Sequence, residues 1–328
     1  MITTDSAALV TGATGLVGYG IVEELLRRGL PVRALVRDAE RARHALPSGV
    51  ELALGDITDP ASLKAAVRGM DLVFHAAGMP EQWQPDEAVF DRVNRMGTRH
   101  VLAASLEAGV RRVVYTSTMD VFAAPRGGIL VETNVDQNPK PTAYERSKQA
   151  AEREAEAFAQ RGLDIVYLNP GAIYGPTPRL TTAALNGFLL RLVRGQVPLV
   201  PPGGMPLAFI DGVVQAHLAA ADVGRTSERY LLADERLSMH QVAELALAGT
   251  GRSTPKTAPA WLLQFLASAS APAARLFGFK PLIAAGELSL LLWNVDIDSS
   301  KAQRELGYRP TRPKDGIQRT VEALNSWR

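Results

Sequence analysis

Ala7-Ala8-Leu9-Val10-Thr11-Gly12-Ala13-Thr14-Gly15-Leu16-Val17-Gly18 begins as an apolar run, turns through glycines at 12, 15 and 18, and continues into a helix-period segment. A short run that barely alternates suits a strand buried on both faces. The glycine turn after it lets the backbone approach an anionic group, and the helix that follows offers free N–H groups and partial positive charge. Gly12 makes the turn, Gly15 permits close approach, and Gly18 permits helix–strand packing. Thr14, Leu16 and Val17 complete the expected cradle for a pyrophosphate. Glycines at this spacing are often plain turns; their place between a first strand and a first helix makes the reading specific.

Outward from this unit the alternation continues. Ala7–Thr11, Val32–Val36, Val50–Leu54, Leu72–Ala76, Arg112–Ser117 and Asp164–Asn169 read as strands rich in Val, Leu and Ile. Val17–Arg28, Pro60–Arg68, Asp86–Glu107 and Thr142–Arg161 read as helices between them. Gly29 and Gly109 stand where helix C-caps belong, and Asp59-Pro60 reads as an N-cap followed by proline at the first helical position. The expectation is an α/β fold: a Rossmann doubly wound parallel sheet over residues 1–175 and a smaller C-terminal substrate lobe over 176–328, with chain returns to the sheet. Beyond Tyr174 the rhythm changes. Val197–Pro206 is rich in Pro and Gly, while Ala258–Phe279 and Ala284–Trp293 are strongly apolar.

Composition narrows the partners. The 328 residues are 46% hydrophobic and 21% charged, an ordinary globular balance. Lys and Arg number 36 against 34 Asp and Glu, a net charge of +2, which gives no electrostatic footprint for nucleic acid. With 0 cysteines, disulfides, thiolate metal sites and cysteine nucleophiles are excluded, and no metal centre is expected. Met1-Ile2-Thr3-Thr4-Asp5 lacks the basic and apolar regions of a signal peptide, and no run reaches the roughly 18 apolar residues of a membrane span. A cytoplasmic protein acting on a small molecule is expected, without nucleic acid and without stable membrane insertion.

The end of the second strand reports on the cofactor. An acid there would bond a ribose 2′-hydroxyl, whereas an arginine would suit a 2′-phosphate. The run is Ala34-Leu35-Val36-Arg37-Asp38, with valine in the acid's place, Arg37 next, and Arg41 and Arg43 nearby. NADP is therefore favoured over NAD. The rival reading makes Asp38 the ribose ligand and Arg37 a solvated surface residue.

Tyr144-Glu145-Arg146-Ser147-Lys148 sets a phenol and an ammonium four apart, on one helical face. A free tyrosine has a pKa near ~10, too high for ready proton transfer at neutral pH, and a nearby cation lowers it. In isolation such a spacing is more often a half-buried tyrosine beside a solvated lysine.

The wider pattern resembles the extended short-chain dehydrogenase/reductase family, from about Ala7 to Pro310. Its carriers are Thr-Gly-Ala-Thr-Gly-Leu-Val-Gly at 11–18, Gly55-Asp56-Ile57-Thr58-Asp59, His75-Ala76-Ala77-Gly78, Val93-Asn94-Arg95-Met96-Gly97-Thr98, and Val114-Tyr115-Thr116-Ser117-Thr118. Tyr144-x-x-x-Lys148, Asn169-Pro170-Gly171 and Tyr174-Gly175-Pro176 complete the set. The resemblance implies that Tyr144 is the general acid/base and that Lys148 lowers its pKa while holding the nicotinamide ribose. Thr118 matches the residue that hydrogen-bonds the substrate oxygen, with Ser117 as the neighbouring alternative. Asp56 and Ile57 would border the adenine, Ala76 and Ala77 the adenosine side, and Pro170 with Ile173 the nicotinamide. Asn94 reads as structural. The helix Thr142–Arg161, with Ala150, Ala151, Ala155 and Ala157, would form a homodimer face typical of the family; the same pattern suits a monomer's half-exposed helix.

Two departures bear on the reaction. Dehydratases of the family place an Asp-Glu pair just after the Ser/Thr, but Met119-Asp120 stands here, and methionine cannot exchange a proton. Sugar-nucleotide enzymes carry an arginine before the segment matching Phe209-Ile210-Asp211-Gly212-Val213; Met205 falls there, and no Lys or Arg occurs from Gln196 to Val223. The second lobe instead offers Trp261, Leu262, Leu263, Phe265, Leu266, Leu276, Phe277, Phe279 and Leu290-Leu291-Leu292-Trp293. Ordinary core packing accounts for most of these. The pattern still resembles the 3β-hydroxysteroid dehydrogenase-like and dihydroflavonol-reductase-like branches, which implies ketone/secondary-alcohol interconversion on a largely apolar substrate. Met79, Trp83, Met119 and Tyr174 are expected pocket walls. The alternatives are a sugar-nucleotide or hopanoid-pathway epimerase-like enzyme and a non-catalytic dinucleotide sensor.

Overall fold

The computed structural model describes residues 3, 6–176, 185–277 and 285–326. Readings that fall on Met1, Ile2, Thr4, Asp5, Phe279 and Ala284, and on the side chains of Leu276 and Phe277, lie outside the described residues.

The chain runs β1 (Ala8–Thr11), α1 (Leu16–Arg27), β2 (Val32–Val36), α2 (Ala39–Ala45), β3 (Glu51–Leu54), α3 (Pro60–Val67), β4 (Leu72–His75), α4 (Ala88–Phe90), α5 (Gly97–Glu107) and β5 (Arg112–Thr116). It continues with β6 (Ile129–Leu130), α6 (Ala143–Gln160), β7 (Ile165–Pro170), β8 (Ala172–Tyr174), α7 (Leu185–Val193), β9 (Leu199–Val200), β10 (Gly204–Phe209), α8 (Ile210–Val223), β11 (Arg229–Leu232) and β12 (Arg236–Ser238). The last elements are α9 (Met239–Leu247), β13 (Lys256–Thr257), α10 (Ala260–Phe277), α11 (Ala285–Trp293), β14 (Asp296–Ile297), α12 (Ser300–Leu306) and α13 (Pro313–Ser326).

A 7-stranded sheet has the order β11-β7-β5-β4-β1-β2-β3, and its pairs are parallel throughout. This is the doubly wound sheet expected from the sequence. The order reverses beside β1, which puts the glycine turn at a switch point where such sheets bind ligands. β1, β4 and β7 are buried along their whole length, which is why their apolar runs do not alternate.

Helices seal both faces. Ile21, Val22 and Leu25 of α1 pack with Val213 and Ala216 of α8 and Leu306 of α12 on one side. Leu63 and Val67 of α3, Val101 and Leu102 of α5, and Ala151, Ala155 and Phe158 of α6 pack on the other. Each fully buried aliphatic side chain contributes roughly 1.5–3 kcal/mol. Ala151 and Ala155 thus belong to the protein's own core, which leaves Ala157 on the exposed side of α6 and Ala150 between.

β8, β10 and β12 form a smaller sheet under α7, α9 and α13, with a second core of Leu189, Leu207, Phe209, Val242 and Ile317. The helix read over Asp86–Glu107 is interrupted by a π-helical stretch, Asp91–Met96. Ordinary core packing holds for Leu291, while Leu262, Leu263, Leu290, Leu292 and Trp293 are half-buried; Trp261, Phe265 and Leu266 are 69%, 65% and 42% exposed, which corrects that expectation for these three. Among the described residues no helix is long and apolar enough to cross a membrane.

Candidate active site

β1 ends at Thr11 and the chain turns at Gly12 with φ of 69°. A Cβ there would lie 2.7 Å from both the Ala76 carbonyl oxygen and the Ala77 nitrogen, so conformation and space both demand glycine. A Cβ on Gly18 would lie 2.2 Å from the Gly12 carbonyl oxygen, so Gly18 packs α1 onto the turn itself. Gly15 is different. Its Cβ would meet only the Gly12 oxygen, at 3.3 Å, and Thr14 and Gly15 are exposed while Leu16 is buried and Val17 half-buried. α1 has no side-chain N-cap bond and no acid in its first turn, which leaves its leading N–H groups for an anion. These features fit a dinucleotide's pyrophosphate.

At the end of β2, Arg37 is exposed, whereas Asp38 caps α2 by accepting from the Arg41 amide at 2.9 Å. Asp56 Oδ1 accepts from the amide and hydroxyl of Thr58, each at 2.8 Å. Ile57 is buried against Gly97, where a Cβ would come within 2.6 Å of Ile57 Cδ1. Ala76 and Ala77 are half-buried against the glycine turn, Pro170 ends β7 buried, and Ile173 in β8 is half-buried.

The first turn of α6 is fixed by a capping box: the Thr142 hydroxyl accepts from the Glu145 amide at 3.1 Å, and the Glu145 carboxylate accepts from the Thr142 amide at 3.0 Å. That turn carries Tyr144, and Lys148 follows one turn on; both are buried. Beyond β5, Thr118 caps a 3-10 turn over Met119–Val121. Its Oγ1 donates to Asp120 Oδ2 at 3.1 Å and accepts from the Asp120 amide at 3.3 Å. The Thr118 side chain also acts on the Tyr144 phenol, opposing the effect of burial. Lys148 Nζ donates to the Thr116 carbonyl at 3.1 Å and to the Tyr115 hydroxyl at 3.3 Å. The structure therefore brings Thr118, Tyr144 and Lys148 together around the end of β5.

Electrostatics here correct one expectation. Burial, aided by the Asp120 charge, raises Tyr144 above an ordinary phenol, and the Thr118 side chain opposes it. The Lys148 ammonium donates to Tyr115 and Thr116, and burial outweighs whatever charge stabilisation reaches the phenol. Burial also brings Lys148 down to about 8, against the opposing charges of Glu152 and Asp120. Asp120, which sequence reasoning passed over, is pushed up to about 6 by burial and then by Glu145, and its Oδ1 has no hydrogen-bond partner.

Asn94 proves to tie the loop at Met79 to α6. Its Oδ1 accepts from the Met79 amide at 2.7 Å, and its Nδ2 donates to the Met79 carbonyl at 3.2 Å and to Ser147 Oγ at 2.9 Å. Met79 and Trp83 are half-buried along that loop. Met119 and Tyr174 are corrected as pocket walls. Met119 is packed with Phe122, Leu130 and Leu231, and the Tyr174 ring, 0% exposed, lies edge-on to Phe209 at 5.3 Å in the second core. A cavity of about 620 Å³ opens beside Glu145, between Lys140, Ala267, Leu288, Leu292 and Trp293.

The comparisons with known proteins agree with this geometry. The chain is 33% identical over 307 residues to sterol demethylase protein B of Methylococcus capsulatus, covering 92% of this chain and 93% of that protein. It is 31% identical over 312 residues to the 4-hydroxy-2-methyl-3-oxo-4-farnesyl-3,4-dihydroquinoline-1-oxide ketoreductase of Stigmatella aurantiaca, covering 91% and 90%. Among solved structures, the UDP-glucose 4-epimerase of Thermus thermophilus in complex with NAD superposes with a TM-score of 0.79 over 98% of this chain and 100% of that one, at 24% identity, a likeness of fold. The model of the NAD dependent epimerase/dehydratase family matches residues 8–233, and the chain belongs to that family.

Proposed function

We propose that the protein is an NAD(P)-dependent oxidoreductase of the extended short-chain type that interconverts a ketone and a secondary alcohol on a largely apolar small molecule. The observation that carries this reading is the buried grouping of Thr118, Tyr144 and Lys148 at the end of β5, on the same edge of the sheet as the glycine turn.

A bound nicotinamide supplies or takes the hydride. The chain's own residues handle the proton and the oxygen. In the reductive direction Tyr144 gives its proton to the substrate oxygen as negative charge grows there; a phenol held above its ordinary value keeps that proton until then. Thr118 contacts the same oxygen and orients it. Lys148 supplies the positive charge that the phenolate left behind requires, and holds the nicotinamide ribose. Asp56, Ile57, Ala76 and Ala77 border the adenosine half, and Pro170 and Ile173 the nicotinamide.

Arg37 favours NADP, and the commitment of Asp38 to capping α2 supports that preference over a ribose-binding carboxylate. An apolar substrate is supported by the absence of Lys or Arg from Gln196 to Val223; the cavity beside Glu145 sets Leu288, Leu292 and Trp293 alongside Arg126, Asp136 and Lys140. The similarity to a ketoreductase points the same way.

NADPH and NADH oxidation against ketones from small aliphatic to steroid-sized tests this directly. NADPH consumption that rises with the apolar bulk of the ketone is the expected result. Thermal stabilisation by cofactor without consumption would make the protein a sensor. Turnover of a sugar nucleotide with no net consumption would make it an epimerase.

A further inference from the structure

Strand register builds a row of side chains across the sheet that the chemistry above leaves without a task. β1, β4, β5 and β7 align Thr11 with His75, His75 with Tyr115, and Tyr115 with Tyr167. His75 and Tyr115 stack at 5.4 Å and 17°, and Tyr167 meets Tyr115 edge-on at 6.1 Å. His75, Thr11 and Tyr115 are each 0% exposed, and Thr98 is 2% exposed. A buried imidazole needs partners for both nitrogens. His75 has them: Nδ1 lies 2.8 Å from Thr11 Oγ1, and Nε2 lies 3.0 Å from Thr98 Oγ1.

The direction of these bonds follows from counting protons. Thr11 Oγ1 already accepts from the Ala77 amide at 3.2 Å, so its own proton finds an acceptor only in His75 Nδ1. A neutral imidazole that accepts at one nitrogen donates at the other, so Nε2–H goes to Thr98. The Thr98 side chain acts on the Tyr115 phenol, and Lys148 Nζ donates to the Tyr115 hydroxyl at 3.3 Å, its charge 5.0 Å from the ring centre. Burial and the Lys148 charge hold His75 down at about 3, so the chain of bonds keeps one direction across the working pH range.

We propose that His75 is a positioning residue: it orients a buried hydrogen-bond chain from the Ala77 amide to the Tyr115 hydroxyl and so holds the Lys148 ammonium at the end of β5. One unit thereby places a wall of the cofactor cleft and the cation of the acid/base pair. The functional meaning of this placement rests on the hydride-transfer reading, but the test is read on the protein without cofactor, so failure of one leaves the other standing.

Lys148 titrates at about 8 in the fold against 10.5 ordinarily. The folded state therefore holds that proton less tightly than the unfolded chain, and stability rises with pH from about 8 upward. Urea unfolding from about pH 6.5 to about pH 9.5 reads the onset of this rise, with Lys148→Met as the baseline that lacks it. The groups facing Lys148 are Glu152 and Asp120, which favour its charge, together with Tyr115 and His75. Tyr115→Phe keeps the ring and removes the acceptor; the onset should fall by about one pH unit, a tenfold loss of proton affinity. His75→Phe keeps the stack, breaks both bonds, and should shift the onset alike. His75→Gln can still accept from one hydroxyl and donate to the other, and should leave the onset near that of the parent protein. Thr98→Val breaks the same chain at its middle and serves if His75→Phe does not fold. An onset unmoved in His75→Phe, or in Thr98→Val, with only a lower urea midpoint would reduce His75 to packing and overturn the proposal. So would a shift in His75→Gln as large as that in His75→Phe.

Discussion

Asp120→Asn should make the protein more stable above pH 6 while impairing the site it belongs to. The parent carboxyl is 4% exposed, one of its oxygens lacks a partner, and it titrates at about 6 against an ordinary 3.8. The fold holds the proton more tightly than the unfolded chain, so the carboxyl costs nothing below about pH 4, and the cost grows as pH rises through the interval up to 6. Once both states are ionised the penalty is about 3 kcal/mol; at pH 5 it is about half of that. Asparagine has no charge to bury and can still accept the Thr118 bond. Paired urea titrations of parent and variant at pH 5 and pH 8 read the effect together with the response of Lys148, whose charge Asp120 favours. The gain should be clearly larger at the higher pH, on the order of a few kcal/mol there. An equal difference at both, or a less stable variant at pH 8, would refute the burial argument. The expected loss of turnover beside Thr118 and Tyr144 explains why a costly carboxyl is retained there.

Thr142→Ala removes the hydroxyl half of the capping box and should cost about 1 kcal/mol in urea unfolding. Gly12→Ala forces a Cβ against Ala76 and Ala77 at φ of 69°, and should abolish thermal stabilisation by NADPH even where the protein still folds. Arg37→Ala should weaken NADPH binding about tenfold and NADH binding far less, read by nicotinamide fluorescence.

The sheet was legible because strands buried on both faces leave apolar runs that nothing else explains. The edge strand β11 was not: it is four residues led by Arg229, whose charge is absorbed by Glu152 and Glu156 of α6. Tyr144 and Lys148 were legible because a helix fixes their relation locally. Thr11, His75 and Tyr115 are spread over the sequence and meet only through strand register, which a linear reading does not supply. Met119 and Tyr174 were misplaced for the opposite reason: an apolar or aromatic side chain beside a motif does not declare whether it faces a cleft or a core. The phenol's environment was also beyond reach, since its burial, the Asp120 charge and the opposing Thr118 side chain come together only in the folded chain.

The central claim is that Tyr144 protonates an oxygen while hydride moves to its carbon. NADPH carrying deuterium at the transferred position, incubated with a bulky apolar ketone, should yield alcohol heavier by one deuterium. Tyr144→Phe should lose roughly a hundredfold or more of that transfer with NADPH affinity little changed. Undiminished deuterium transfer by the variant would contradict the account.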